Sequence, residues 1–200
     1  MMFTRMVTYT KTTDIDAGLR YLRDTAVPVL RGQNGFRGVT ASADRSGGVL
    51  GILSLWETEA DRDASESPMG KAREEAQRLV GGDLAVELFE ELVVDLDRRP
   101  AVGNSLLLRR ISMDPATVGE NADYFRSEVL PQIKSGPGFC AARYMINRAT
   151  GEGAVGTLWV DEAARDAAAE AADKRRQQAA QRGVTFGEQS SRELVLVELQ

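Results

Sequence analysis

Residues 28–64 read PVLRGQNGFRGVTASADRSGGVLGILSLWETEADRDA, and residues 131–167 read PQIKSGPGFCAARYMINRATGEGAVGTLWVDEAARDA. Laid over each other at an offset of 103, without a gap, the two stretches place Pro28 on Pro131, Gly35-Phe36 on Gly138-Phe139, Leu55-Trp56 on Leu158-Trp159 and Arg62-Asp63-Ala64 on Arg165-Asp166-Ala167. Both tryptophans of the protein coincide. From Tyr21 to Ala76 the overlay makes 17 identities in 56 positions, where composition alone gives about 4. Two copies of one unit are therefore expected. A solenoid needs about three repeats to bury a core, so each copy is expected to be a small domain, residues 1–98 and residues 104–200. The junction is Asp97 to Asn104 (DRRPAVGN), where Pro100 and Gly103 interrupt regular structure.

Each copy reads as strand, helix, strand, strand, helix, strand. Phe3 to Thr10 is rich in β-branched and aromatic residues, and Thr13 with Asp16 has capping-box spacing before the apolar series Ile15, Leu19, Leu22, Ala26. In the second copy Leu106 to Ser112 is the strand, Asp114 the N-cap, and Pro115 takes the first helical position, where a missing N–H is harmless. Pro28 and Pro131 fall late in these helices and should bend or end them. Hairpins follow, Phe36 to Asp44 with Val49 to Trp56 about Gly47-Gly48, and Phe139 to Asn147 with Gly153 to Val160 about Gly151. Both alternating sets of Val49 to Trp56 are largely apolar, which predicts a strand covered on both faces. The second helix should run from Asp161 to Arg182 in the second copy and be broken at Ser67-Pro68-Met69-Gly70 in the first. Last strands are expected near Ala85 to Leu96 and Arg192 to Leu199. The pattern is α+β and ferredoxin-like, βαββαβ twice over. Helices cover one sheet face, and the simplest cover for the other is the sheet of the second copy.

Composition narrows the chemistry. The 200 residues carry 25 Lys plus Arg against 30 Asp plus Glu, a net charge of −5, with 42% apolar and 28% charged residues. That is ordinary for a globular protein and argues against a nucleic-acid surface. No His occurs, which removes Ser-His-Asp and Cys-His pairs, a proximal haem ligand and His-containing zinc sites. The one Cys, Cys140, allows no internal disulfide, and the start MMFTRMVTYT has no apolar signal core. No apolar run approaches the roughly 18 residues of a membrane span. A cytoplasmic protein without membrane partners is the expectation. No GxGxxG follows the first strand, so no tightly held nucleotide cofactor is indicated.

The runs VPVLRGQNGFRGV and LSLWETEADRDASESPMGKAR, and again VLPQIKSGPGFCAA and GTLWVDEAARDAA, resemble the antibiotic biosynthesis monooxygenase family of dimeric α+β barrels. The resemblance covers about 56 residues of each copy. It implies that the family's usual homodimeric barrel is formed within one chain, a pseudo-dimer that itself has the option of pairing. It also implies a cofactor-independent monooxygenase acting on a small aromatic or polyketide-like metabolite, or a non-catalytic binding or structural member of the same fold. Isomerase or lyase chemistry is a further alternative. The haem-degrading branch uses an Asn on the first strand and a Trp and a His on the second helix. Here Arg5 or Met6, and Ser65 and Ala168, stand at the Asn and Trp positions, and His is absent.

The candidate site residues each carry a second reading. Trp56 and Trp159 either stack on a flat substrate or close the core at the strand-to-helix junction. Arg143 and Tyr144 replace Thr40 and Ala41 of the first copy. They are the candidate catalytic pair, Arg143 to steady an enolate and Tyr144 to move a proton, unless both only hold the halves together at an edge strand. Arg109 and Arg110 point to opposite faces of a strand, and the inward one, taken as Arg110 for substrate binding, must pair with a carboxylate or bind an anion. Tyr124, matched by Tyr21, either contacts substrate or packs helix on sheet. Cys140 reads as a small buried hydrophobe, and Lys174, Arg175 and Arg176 as a solvated helix face.

Overall fold

The computed structural model describes residues 2–200. The chain is α+β, and it divides into two compact units, residues 1–88 with 194–200, and residues 89–193. In the first, β1 (Met2–Thr10) leads through α1 (Ile15–Tyr21) and α2 (Val27–Arg31) to the hairpin β2 (Phe36–Asp44) and β3 (Val49–Trp56), then α3 (Glu59–Ala64), α4 (Glu66–Val80) and β4 (Asp83–Leu96). In the second, β5 (Ser105–Ser112), α5 (Val118–Tyr124), α6 (Leu130–Lys134), β6 (Phe139–Ile146), β7 (Glu152–Trp159), α7 (Glu162–Glu170), α8 (Asp173–Gln181) and β8 (Thr185–Leu199) repeat the order. The strands run β4-β1-β3-β2 in the first unit and β8-β5-β7-β6 in the second, with β4 from Phe89 onward counted in the second unit and β8 from Leu194 onward in the first. Both are the 4-1-3-2 order of a ferredoxin-like sheet. No helix among the described residues is long and apolar enough to cross a membrane.

Neither second strand is an edge, contrary to the sequence expectation. β6 pairs with the second half of β4, from Glu90 opposite Ile146 to Leu96 opposite Ala141. β2 has the end of β8 beside it, where the Gln200 amide donates to Arg37 O at 3.1 Å. Long outer strands supply this fifth neighbour, and β8 begins seven residues before the Arg192 expected from sequence. The polar run TFGEQSS gives no apolar signal because it is held through its backbone, Thr185 to Glu193 pairing with β5.

Local corrections have local causes. The N-cap of α1 is Asp14, whose carboxylate accepts from the Ala17 amide, while the Thr13 hydroxyl donates to Val80 O. The expected bends take the form of π-helical turns, Leu22–Ala26 and Phe125–Val129, placed just before Pro28 and Pro131. A proline lacks the N–H that an α-turn needs and crowds the carbonyl one turn back, and a widened turn accommodates both. The later helix breaks at Ser65, not at Ser67 to Gly70, because Pro68 sits in the first turn of α4 where it is tolerated. Its counterpart is also broken, at Ala171-Ala172.

Each unit buries its own core between helices and sheet, with Leu19, Leu22, Val39, Leu50 and Trp56 in one and Val118, Phe125, Ile133, Ile146 and Trp159 in the other. The hairpin turn at Gly151 has φ +72°, and a Cβ there would lie 1.9 Å from Met113 O. Gly103 also has positive φ but open space around it. Gly103→Ala should therefore cost only the conformational penalty of about 1 kcal/mol, and Gly151→Ala about 3 kcal/mol or more, read as the difference in urea unfolding midpoints.

Candidate functional site

The site is built where the helices of the second unit cross its sheet. Tyr124 closes α5 and Phe125 opens the π turn, so both side chains reach the sheet just before the Pro131 bend. β6 contributes Tyr144, and β7 contributes Val155, Thr157 and Trp159, alternate residues that share one face. With Ala168, Ala172, Arg175, Arg176 and Ala179 of the later helices, Arg109 of β5 and Gln189 of β8, they line a cavity of about 120 Å³. The matching cavity of the first unit is about 40 Å³.

The difference follows from particular substitutions. Leu50 and Met69 line the smaller cavity, and at the offset of 103 they face Gly153 and Ala172. Strand registers place Phe3 opposite Trp56 and Ser105 opposite Trp159, so Val7 and Tyr9 of the first unit correspond to Arg109 and Ile111 of the second. Side-chain volume is lost on three sides, while Ala41 is replaced by Tyr144 and Gly18 by Asn121.

Tyr144 is buried, its ring stacked on Phe125 at 4.9 Å between centroids and its hydroxyl donating to Met113 Sδ at 3.6 Å. Burial pushes its pKa up to about 12, so at neutral pH it is a proton donor and no base. Trp159 is 2% exposed. Its indole N–H donates to Thr157 Oγ1 at 3.0 Å, and its ring meets Phe139 edge-on at 5.7 Å. Trp56 repeats both contacts with Ser54 and Phe36 but lies outside the lining of the smaller cavity. Tyr124 lines the large cavity and carries Arg182 over its ring at 4.4 Å.

The arginines sort differently from the sequence expectation. Arg109 lines the cavity and Arg110 does not, which is the alternation of a strand resolved in favour of the neighbour. Arg143 also lies outside the lining. It is bonded to Glu91, whose side chain is 1% exposed, because the second half of β4 lies beside β6. Arg175 and Arg176 reach into the cavity instead of forming a solvated face, while Lys174 is exposed. Asn121 went unnoticed in the sequence, although its replacement of Gly18 in the overlay was the signal that marks it. Cys140 is buried, and burial pushes its thiol up. Among the described residues, no Asp, Glu or Cys lines the larger cavity, and no group of three such residues is placed to hold a metal ion.

Solved structures define the class of fold. A provisional monooxygenase from Lactobacillus acidophilus superposes with a TM-score of 0.71 at 12% identity, covering 100% of this chain and 97% of that one. An anthrone oxidase-like protein matches with a TM-score of 0.69 at 12% identity over 98% and 92%. A regulator of staphylococcal pathogenesis shares the fold less closely, at 0.57 and 9% identity over 94% and 98%. Closer in sequence is the uncharacterised protein Rv2557 of Mycobacterium tuberculosis strain H37Rv, 33% identical over 137 residues, 68% of this chain and 61% of its own length. Rv2558 of the same strain, also uncharacterised, is 28% identical over 66% of this chain and 56% of its own. The matched region thus spans about six tenths of each relative. No protein-family profile matches the chain.

Tyr144 and Tyr9, both raised to about 12 from an ordinary 10, bind their protons more tightly in the folded state. The stability they contribute is fully present below pH 10 and is lost as pH rises toward 12, which alkaline unfolding of Tyr9→Phe and Tyr144→Phe variants should show as a shallower decline. Arg143→Met leaves the Glu91 carboxylate buried alone and should destabilise the protein by about 3 kcal/mol, whereas the double change Glu91→Leu with Arg143→Met should recover most of that loss; calorimetric melting of the single and double variants makes the comparison.

Proposed function

We propose that the protein is a cofactor-independent monooxygenase acting on a small aromatic or polyketide-like metabolite, with its working site in the second repeat. On this reading residues 1–98 and 104–200 descend from one duplicated ferredoxin-like unit and stand in for the two subunits of a homodimeric barrel. The observation that carries the assignment of the working half is the inequality of the cavities, about 120 Å³ against about 40 Å³. Unfilled apolar space costs on the order of 20 cal/mol per Å³, so a unit serving structure alone closes it, as the first does with Leu50 and Met69.

The aromatic walls, Tyr124, Phe125, Tyr144 and Trp159, suit a flat ring system. Oxygenation then draws on the substrate's own acidity. A benzylic or enolisable C–H loses its proton, the carbanion passes one electron to O₂, and the two radicals combine as a hydroperoxide. Loss of water leaves a carbonyl, so CH₂ plus O₂ gives C=O plus H₂O with no outside reductant. Tyr144, held protonated by burial, is suited to hydrogen-bond the peroxide or the developing ketone. The cationic rim favours the substrate anion. Arg143, committed to Glu91, is assigned a structural part.

A second reading, a binding protein without turnover, is favoured by one feature: the lining carries neither carboxylate nor imidazole to take the substrate's proton. Oxygen uptake with anthrone separates the two. The monooxygenase reading expects protein-dependent O₂ consumption with formation of anthraquinone. Ala172→Met, which restores the residue of the closed cavity, should reduce the rate about tenfold or more, while Met69→Ala should leave the rate unchanged and lower stability by about 2 to 5 kcal/mol. Binding of anthrone with no O₂ uptake above the protein-free rate would establish the second reading instead.

A further inference from the structure

Resting on the reading that the second unit's cavity receives a small aromatic molecule, we infer that this molecule is an organic acid, its carboxylate held among Arg109, Arg175 and Arg176 and a separate hydroxyl or N–H donating to Asn121 Oδ1. Three arginines line one cavity whose described lining contains no carboxylate. The partners they have are mostly neutral. Arg109 donates to Gly187 O at 3.1 Å and to the Gln189 side chain, and Arg175 to Ala168 O at 3.5 Å. Arg176 donates to Ala169 O at 3.4 Å and to Asp173, an exposed residue on the first turn of α8. Arg176 lies near enough to both Arg109 and Arg175 for its charge to act on them, and its own carboxylate partner, Asp173, is exposed. Burial, and then the charge of Arg176, push both Arg109 and Arg175 below the usual arginine range. A bound carboxylate relieves that repulsion, and a guanidinium's planar fork of donors matches its two oxygens.

Asn121 supplies an independent observation. It is 5% exposed, and its Nδ2 donates to Thr117 O at 3.3 Å and Thr117 Oγ1 at 3.2 Å. Its Oδ1 accepts no hydrogen bond. A buried acceptor left without a donor is costly, and Asn121 belongs to the cavity lining, so a ligand donor that reaches Oδ1 from the cavity completes it. These groups also distinguish the halves. Val7, Ala72 and Gly18 occupy the corresponding positions around the smaller cavity, and only Arg73 matches a cavity arginine, Arg176. The smaller cavity is lined by Arg5 as well, and there both Arg5 and Arg73 pair with Glu66, so Arg109, Arg175 and Asn121 are what the larger cavity adds.

The test is calorimetric titration of the full chain with para-hydroxycinnamate, its methyl ester and cinnamate. The acid should bind at least about tenfold more tightly than the ester, and added salt should weaken the acid and spare the ester. Exchanging Arg109→Gln together with Arg175→Gln should bring the acid down to the ester's affinity and leave the ester unchanged, with melting curves confirming that the variant folds. Asn121→Leu should abolish the advantage of para-hydroxycinnamate over cinnamate. Equal binding of acid and ester by the unaltered chain overturns the acid inference and leaves the aromatic cavity standing. An unchanged affinity for the acid in the double arginine variant overturns it equally. Failure of all three compounds to bind overturns the inference, and failure of anthrone to bind as well removes the reading on which it rests.

Discussion

In each unit the indole at the end of the third strand is held from two directions. The Phe that opens the second strand meets it edge-on, Phe36 at 5.6 Å from Trp56 and Phe139 at 5.7 Å from Trp159. The hydroxyl two residues earlier on the same strand face takes its N–H, Ser54 or Thr157 at 3.0 Å. Edge-to-face aromatic pairs and satisfied buried donors are both favourable, and together they leave the ring one orientation. The hairpin register, the departure of the following helix and one wall of the larger cavity all depend on that ring. The Glu-Ala-x-Arg-Asp-Ala motif beyond it serves the same corner. Arg62 and Arg165, both buried, pair with Glu59 and Asp63 in one unit and with Glu162 and Asp166 in the other, securing the first turn of the helix that leaves the strand.

On this shared frame the units diverge in what fills the space between helix and sheet. The first closes it with Leu50 and Met69. Gly18 there lets α1 and α4 approach so closely that a Cβ would lie 2.3 Å from Val80 Cγ1. The second sets Asn121 at that position and Gly153 and Ala172 at the other two. The larger cavity, lined by three part-buried arginines, costs the second unit packing that the first retains, unless an occupant fills it. The fold alone does not name that occupant. The same architecture carries an anthrone oxidase-like protein and a regulator of staphylococcal pathogenesis, so the functional reading rests on the cavity and its side chains.

Much of the frame was legible in the chain. The overlay located both tryptophans at strand ends, the paired prolines announced the interruption of the helices, and Gly151 marked a turn. Their signals are local: a missing N–H, a missing Cβ, a run of β-branched residues. The polar half of β8 was not legible, since backbone pairing with β5 leaves no hydrophobic trace. Nor was the pairing of β6 with β4, and for that reason Arg143 looked available for chemistry when it is committed to Glu91.

The candidate site divides along the same line. Sequence by itself determined the order of elements, the two tryptophan corners, the lack of imidazole chemistry and the presence of Tyr124, Tyr144 and Trp159 in the inventory of a site. Tertiary structure decided that Arg109 and not Arg110 lines the cavity, that Arg175 and Arg176 of α8 line it too, and that Asn121 keeps an acceptor unpaired. The physical reason is distance along the chain. Whether a charged side chain is solvated, paired or poised over a cavity depends on which remote segment packs against it, and no spacing within its own segment records that neighbour.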